Sequence, residues 1–350
     1  MSDQEVIFHE DPPTGFMTLN RPKALNALTH GMCVAIKAQL DAWKHDAAIE
    51  RVLIQGTGDR AFCAGGDIRS LYESGKAGTP YALDFYRDEY ILNATIKHFP
   101  KPYIAMLRGI VMGGGVGVSL HGQYRVLDES TVFAMPETGI GLFPDVGGSY
   151  FLPRLPGEIG MYLALTGARL RAEDCLYAGI GTHLFPAKRW HAFIELLSET
   201  CEEDSPISDL FAHAPAPDSR NPAPLGHYRE KIDAIFSKDS VQSILDALDV
   251  DGSDWSRDTA KSIRSKSPTS LKLAYRQLRA GRDLEFDDCM RMEFRMVNRV
   301  IAGHDFYEGV RATIIDKDQS PKWRPATLEA VSDAEINAYF APLGEKELKL

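Results

Sequence analysis

The 350-residue chain is poor in several features that mark whole classes of protein. Its five cysteines are odd in number and form no C-x-x-C pair, which argues against a disulfide framework or a zinc knuckle and favours a reducing compartment. No apolar run approaches the length of a membrane span. The opening residues, MSDQEVIFHEDPP, contain neither an apolar signal core nor an Arg-rich leader. We therefore expect a cytoplasmic protein without a membrane partner.

Basic residues are also few. Lys and Arg total 39 against 49 Asp and Glu, which gives a formal net charge of −10. Because nucleic-acid binding needs a basic face, we expect no nucleic-acid partner, and an anionic ligand must meet a local basic cluster. The hydrophobic content of 44% is ordinary for a globular protein, and the length allows a full core in two domains or in one large domain with an appended module.

Common nucleotide-binding, hydrolase and metal motifs are absent. GTGDRA, which begins at Gly56, matches a dinucleotide fingerprint, but FCAGGD follows it where a helix should begin at once. MGGGVG lacks the G-K-[ST] of a phosphate loop, and no G-x-S-x-G elbow surrounds Ser119 or Ser149. The histidines show no ligand spacing, so we expect no metal.

Short strand patterns alternate with helical patterns in the first part of the chain. Thr29 is a candidate helix N-cap, and Met32, Ile36, Leu40 and Trp43 after it fall on one helix face. This alternation predicts an α/β domain. The strand patterns are EVIFHE, GFMTLN, RVLIQG, PYIAMLRG, QYRVLD and TVFAM.

From about Gly157 onward the strand signals end and helical patterns follow one another. The stretch from Glu202 to Gly226 is rich in Pro, Ala, Ser and Asp, which is typical of an exposed connection. We therefore predict a catalytic core over residues 1–200, a connection over 201–227 and a helical C-terminal region over 228–350.

Two glycine clusters follow strand patterns and precede helical ones. Gly113 to Gly115 form the first, and Gly65 and Gly66 form the second. Such glycines can simply allow close packing of a helix on a strand. Alternatively, the two turns converge and leave two backbone N–H groups free to bind a developing oxyanion.

Four motifs in the same order resemble the crotonase superfamily, which includes the enoyl-CoA hydratases and isomerases. They are NRPKALNAL, AFCAGGDI, GIVMGGGVG and PETGIGLFPDVGG. The later segments SPTSLKLAYRQL, GHDFYEGVRA and DKDQSPKW resemble one subgroup, the 3-hydroxyisobutyryl-CoA hydrolases. The resemblance implies a crotonase-like α/β fold, a spiral of ββα units with a helical C-terminal region.

The resemblance also implies where an acyl-CoA thioester binds. The backbone N–H groups at Gly66 and Gly114 match the oxyanion hole of the family. CoA-binding stretches match a further set of residues, which are Lys23, Ala24, Leu25, Ala61, Ala64, Asp67 and Ile68.

The acidic residues distinguish between the reactions that the family catalyses. Gly117 stands where family hydratases carry the first of two glutamates, whereas Glu137 matches the second. Asp145 stands where hydratases usually have glycine, and the pair of Glu137 and Asp145 matches the hydrolase subgroup. Glu89 matches a substrate-pocket position of the same subgroup. A carboxylate beside a thioester can attack it or activate water, and a second acid can position water or protonate the leaving thiolate.

We therefore expect hydrolysis of 3-hydroxyisobutyryl-CoA in valine breakdown, with CoA as part of the substrate and no separate cofactor. An enoyl-CoA isomerase or hydratase on the same fold is the first alternative, and a non-catalytic CoA-binding protein is the second. Relatives with this core often assemble through C-terminal helices, so a homo-oligomer is a further expectation, although the longer helical tail can instead cover that surface.

Overall fold

A computed structural model of the protein describes residues 4–199, 211 and 223–350. Its strands form a six-stranded sheet in the order β1-β2-β3-β5-β7-β10 and a four-stranded sheet in the order β4-β6-β8-β9. The strands are β1 (Val6–Asp11), β2 (Thr14–Leu19), β3 (Arg51–Gly56), β4 (Ala61–Cys63), β5 (Tyr103–Leu107), β6 (Ile110–Met112), β7 (Tyr124–Leu127), β8 (Val132–Ala134), β9 (Leu170–Arg171) and β10 (His183–Leu184).

Most neighbouring strands of the larger sheet are parallel. β1 and β2 form an antiparallel hairpin, whereas β2, β3, β5, β7 and β10 pair in parallel. Parallel neighbours need crossover connections, and the helices between the strands supply them. The residues of β5 are all buried, as expected for a strand covered on both faces.

The helices account for most of the remaining described residues. In chain order they are α1 (His30–His45), α2 (Ile68–Ala77), α3 (Tyr81–Lys97), α4 (Gly114–Gly117), α5 (Gly148–Phe151), α6 (Ile159–Thr166), α7 (Ala172–Tyr177), α8 (Trp190–Glu199), α9 (Arg229–Phe236), α10 (Val241–Asp251), α11 (Asp254–Arg264), α12 (Pro268–Gly281), α13 (Phe286–Val300), α14 (Asp305–Val310) and α15 (Asp333–Phe340). Within the described residues, no helix is long and apolar enough to cross a membrane.

The predicted elements of the first part are confirmed. All six strand patterns form strands, and the Thr29 hydroxyl accepts the N–H of Met32 at 3.2 Å, which caps α1. The expectation that strands end near Gly157 is wrong, because β9 and β10 lie beyond it. Each has two residues, which is too short to show an alternating pattern.

Contacts between Cα atoms group the chain into two units, each built from three segments. The first unit contains Met1–Gly66, Ile91–Phe133 and Arg169–Gly226, and the second contains Asp67–Tyr90, Ala134–Ala168 and His227–Leu350. The expected boundaries at 200 and 227 stay a prediction, and the predicted connection falls largely outside the described residues.

Each unit has its own buried interior. In the second unit the buried faces of α12 and α13 supply much of it, including Leu271, Leu278, Phe294 and Val297. In the first unit one cluster comprises Phe16, Leu53, Ile104, Met106, Val126, Phe185, Trp190, Phe193, Leu197 and Phe211.

Candidate active site

The two glycine turns predicted from the sequence converge within the first unit. β4 and β6, which precede the turns, are parallel neighbours. Gly65 has a φ of +118°, and a Cβ at that position would lie 3.8 Å from the backbone nitrogen of Gly114. A Cβ on Gly115 would lie only 2.3 Å from the carbonyl oxygen of Cys63. A side chain on Gly115 would collide with the carbonyl group of Cys63, and the left-handed φ of Gly65 favours glycine there, so this approach depends on both glycines.

At these turns the N–H groups of Gly66 and Gly114 have no backbone partner among the described residues. Gly114 is the first residue of α4, and the first N–H groups of a helix have no partner inside it. Within the described residues, neither the Gly66 nor the Gly114 N–H donates to another protein group. Two such donors on adjacent turns are the kind of group that binds a carbonyl oxygen as it gains negative charge.

The segment around Leu25 lies against the turn at Gly65 and Gly66. The N–H of Ala64 donates to the carbonyl oxygen of Leu25 at 3.0 Å, and the N–H of Leu28 donates to that of Gly65 at 2.8 Å. The structure thus brings together two stretches that the sequence assigned to CoA binding.

Asn26, which sequence reasoning missed, holds this arrangement. Its buried amide donates to the carbonyl oxygens of Ala61 at 2.8 Å and Thr57 at 3.0 Å. Asn26 also has a left-handed φ of +55°, a conformation that asparagine tolerates better than most residues. The sequence signal that could have identified Asn26 was an asparagine within the loop motif NRPKALNAL.

The remaining expected CoA-binding residues occupy different settings. Lys23 and Ala24 are exposed on a short 3-10 helix, Pro22–Ala24. Asp67 caps α2 by accepting the N–H of Ser70 at 3.4 Å, and Ile68 is the first residue of that helix.

Glu89, Glu137 and Asp145, the three acids singled out from the sequence, are buried in the second unit. Their exposed fractions are 2%, 4% and 4%. Glu89 lies on α3, Glu137 begins a 3-10 helix, and Asp145 precedes a tight turn. Fully buried acids are rare unless paired, which makes these three residues candidates for a functional site.

The hydrogen bonds of these acids are incomplete. The hydroxyl of Tyr90 donates to Asp145 Oδ2 at 2.9 Å. Among the described residues, Glu89 Oε1, Glu137 Oε2 and the buried hydroxyl of Tyr86 have no hydrogen-bond partner. Buried polar atoms normally have partners, so these atoms are positioned for a ligand or water.

Burial and mutual repulsion raise the pKa values of the acids. Loss of hydration raises the pKa of Asp145 to about 7, although the hydrogen bond from Tyr90 opposes the shift. Burial, followed by the charge of Asp145, raises the pKa of Glu137 well above its ordinary value. Burial and the charges of Asp145, Glu293 and Glu137 act in the same way on the pKa of Glu89. The pKa values of all three acids therefore lie above their ordinary range, as in sites where carboxyl groups exchange protons during a reaction.

Glu293 on α13 is a fourth buried acid, and sequence reasoning missed it. It is 0% exposed and accepts hydrogen bonds from the turn after Asp145. Burial raises the pKa of Glu293, and hydrogen bonds from Ser149 and Gly147 oppose that shift. An acid in the apolar stripe formed by Met290, Phe294 and Val297 was the signal available from the sequence.

No group of three or more His, Cys, Asp or Glu side chains in the described part of the chain is arranged to hold a metal ion. The expectation that the reaction needs neither a metal nor a cofactor stays a prediction.

A largely parallel α/β scaffold with paired glycine turns and a set of buried carboxylates defines the crotonase-like class of proteins. The chain belongs to the enoyl-CoA hydratase/isomerase family, whose sequence model matches residues 14–340. The family expected from the four sequence motifs is therefore confirmed.

The similarity to known proteins extends along almost the whole chain. It is 47% identical over 350 residues to the 3-hydroxyisobutyryl-CoA hydrolase, mitochondrial, of Danio rerio, covering 99% of this chain and 92% of the relative. The crystal structure of a carnitinyl-CoA dehydratase from Mycobacterium thermoresistibile is 40% identical, with a TM-score of 0.92 and 99% coverage of both chains. The crystal structure of an enoyl-CoA hydratase from Rhodobacter sphaeroides is 38% identical, with a TM-score of 0.91, covering 99% of this chain and 100% of that one. The crotonase-like fold is thus confirmed.

Proposed function

We propose that the protein hydrolyses a CoA thioester, 3-hydroxyisobutyryl-CoA, to 3-hydroxyisobutyrate and free CoA. The similarity to a hydrolase of that name over almost the whole length of both chains is the main support. The residues agree with it, because Glu137 is accompanied by a buried Asp145 and Gly117 replaces an acid that family hydratases use.

In the proposed reaction the N–H groups of Gly66 and Gly114 bind the thioester oxygen. Each such donor contributes about 3 kcal/mol to a transition state in which that oxygen gains charge. Glu137 then acts by one of two routes. Its carboxylate attacks the carbonyl carbon, the C–S bond breaks, and water hydrolyses the resulting anhydride; or it removes a proton from water, which attacks directly.

Asp145 is the second acid in this proposal. With a pKa of about 7, its carboxyl is protonated in part of the population at neutral pH and can give a proton to the departing CoA thiolate. Glu89 has a buried oxygen without a protein partner among the described residues, which suits it to bind the substrate. We also propose that CoA contacts Lys23, Ala24, Leu25, Ala61, Ala64, Asp67 and Ile68.

The two solved structures carry dehydratase and hydratase titles, so an enoyl-CoA hydratase or isomerase is the alternative to test. Gly117 weighs against hydration because no second glutamate stands at that position. A non-catalytic CoA-binding protein is the other alternative. Either would release no thiol from 3-hydroxyisobutyryl-CoA.

The test is thiol release from 3-hydroxyisobutyryl-CoA, with crotonyl-CoA assayed beside it. We expect rapid release from the first substrate and its loss in Glu137→Gln and Asp145→Asn. Glu230→Gln and Asp283→Asn make the same chemical changes at exposed positions and should retain the wild-type rate. Hydration or isomerisation of crotonyl-CoA without thiol release would overturn the proposal.

A single turnover in ¹⁸O-labelled water separates the two routes for Glu137. Label in Glu137 would show the anhydride route, with water attacking the carboxyl carbon of Glu137 and the unlabelled acid leaving. General-base catalysis puts all the label in the released acid.

The proposed substrate suggests a place in valine degradation. The relative from Danio rerio is named as a mitochondrial protein, whereas the cytoplasmic location expected from the sequence stays a prediction for this chain. Cell fractionation of the source organism tests it.

A further inference from the structure

The turn that follows Asp145 has an unfavourable backbone conformation. Val146 has a φ of +50° and Gly147 a φ of +87°. Glycine adopts such values freely, but a β-branched residue does so only under strain. The surrounding structure must therefore hold Val146 in this state, and with it the backbone that sets the direction of Asp145.

Glu293 makes hydrogen bonds on the far side of this turn. Its Oε2 accepts the N–H of Gly147 at 2.9 Å, and its Oε1 accepts the N–H of Ser149 at 2.9 Å. The hydroxyl of Ser149 donates to the same Oε1. All three contacts place a donor against a carboxyl oxygen, and Glu293 is 0% exposed, so bulk water does not compete for these hydrogen bonds.

The residues before the turn are held as well. The amide of Gln277, on α12, donates to the carbonyl oxygen of Pro144 at 2.6 Å, and Tyr90 donates to the Asp145 carboxylate itself. The backbone also holds this segment, because the N–H of Gly148 donates to the carbonyl oxygen of Asp145 at 2.8 Å and that of Tyr150 donates to the carbonyl oxygen of Gly147 at 2.9 Å. Loss of Glu293 would therefore loosen the turn, while the Pro144 side stays anchored.

We infer that Glu293 is a positioning residue for the proposed hydrolysis: by accepting three hydrogen bonds from Gly147 and Ser149 it holds the strained turn that aims Asp145. It does not touch the thioester. Its contribution depends on the proposed function, because Asp145 acts on the substrate only if that reaction takes place. The holding of the turn is a property of the free protein and can be measured without substrate.

The first measurement is amide hydrogen exchange in the free protein. In Glu293→Gln the new amide group places an N–H donor against the N–H donors of the turn, so we expect exchange at Gly147 and Ser149 to rise at least about tenfold. Exchange in β3 should not change. Unchanged exchange at the turn would overturn the inference whatever reaction the enzyme catalyses.

The second measurement is steady-state hydrolysis. A misplaced catalytic group can cost about 10²-fold, so we expect kcat of Glu293→Gln to fall by about that factor while KM stays within about threefold. Wild-type protein without thiol release would contradict the proposed function alone, whereas active wild type with an equally active Glu293→Gln would contradict only the inference.

Asp128→Asn is the matched control. Asp128 is also fully buried, and it accepts the N–H of Ser130 at 2.9 Å and the hydroxyl of Ser130 at 2.6 Å. It belongs to the first unit, and its loss should lower the melting temperature without changing kcat by more than about twofold. An equal fall of kcat in both variants would show a merely structural role for Glu293 and overturn the inference.

Ser149→Ala keeps the test decisive if Glu293→Gln does not fold. It removes the hydroxyl donor and leaves both backbone N–H donors in place. We expect a fall in kcat of about 3–10-fold at an unchanged KM, with faster exchange at the turn. A wild-type kcat together with wild-type exchange in this variant would overturn the inference.

Discussion

Asp145 is buried, and loss of hydration raises the pKa of its carboxyl to about 7. Between its ordinary pKa near 4 and this value, the folded protein binds more protons than the unfolded chain. The free energy of unfolding therefore falls as pH rises from about 4 to about 7. Above about 7 the whole loss of stability caused by ionising Asp145 is present. A buried acid with the role proposed for Asp145 thus lowers the stability of the protein in the pH range of the proposed reaction.

We predict that Asp145→Asn is more stable than wild type at pH 8 by about 1–3 kcal/mol and nearly equal to it at pH 4. The asparagine carries no charge, and its carbonyl oxygen can still accept from Tyr90. Urea unfolding at the two pH values measures the difference. A difference that does not grow with pH would show that Asp145 is ionised without cost in the folded protein.

The short elements β4 and α4 depend on each other because Gly115 leaves room for the carbonyl of Cys63. This approach brings the turns at Gly65 and Gly114 together. Three-residue strands such as β4 rarely form without such close partners.

We predict that Gly115→Ala destabilises the protein by about 1–3 kcal/mol, because the new methyl group meets backbone atoms that cannot rotate away. We also expect kcat for thiol release to fall by about 10²-fold as the two N–H donors separate. Gly31→Ala is the control, since a Cβ there meets only the Thr29 hydroxyl at 3.8 Å. Thermal unfolding and thiol release measure the two effects, and equal behaviour of both variants would contradict this account.

The sequence predicted elements where the pattern was long enough to be read. α1 was predictable because Thr29 and the stripe ending at Trp43 are local signals, and both are confirmed. β9 and β10 were not predictable, because two-residue strands exist only through their partners.

The candidate site was predictable to a similar extent. Glu137 and Asp145 were found because they lie in a motif with glycine and proline, and their burial agrees with a functional role. Glu293 was missed because its hydrogen bonds run to residues 144 and 146 positions earlier in the chain. No local pattern encodes a contact of that range.

At the scale of the whole molecule, neither unit is a continuous piece of chain. The second unit combines Asp67–Tyr90, Ala134–Ala168 and His227–Leu350. The first two segments therefore have part of their interior in residues that come much later. Gly281, for example, lies so close to Ser149 that a Cβ there would be 2.0 Å from the Ser149 carbonyl oxygen.

We predict that a fragment ending at residue 227 does not fold cooperatively, since the two earlier segments of the second unit would lose the apolar partners on α12 and α13. Circular dichroism during heating and size-exclusion chromatography, with the full chain as control, test this. A fragment with a sharp melting transition would instead support a core that folds independently of residues 228–350.

The hydrogen bonds of Glu293 to Gly147 and Ser149 also have a consequence for protein synthesis. A nascent chain that has left the ribosome through residue 168 already carries Glu89, Glu137 and Asp145, but it lacks the acceptor for the turn beside Asp145. The three acids are synthesised early, but the hydrogen bonds to the turn beside Asp145 can form only after α13 has been synthesised. A ribosome that stops before α13 releases a product that contains every proposed catalytic side chain, together with Tyr90 and Gln277, but lacks Glu293. We therefore expect such a product to hydrolyse the thioester far more slowly than the full chain.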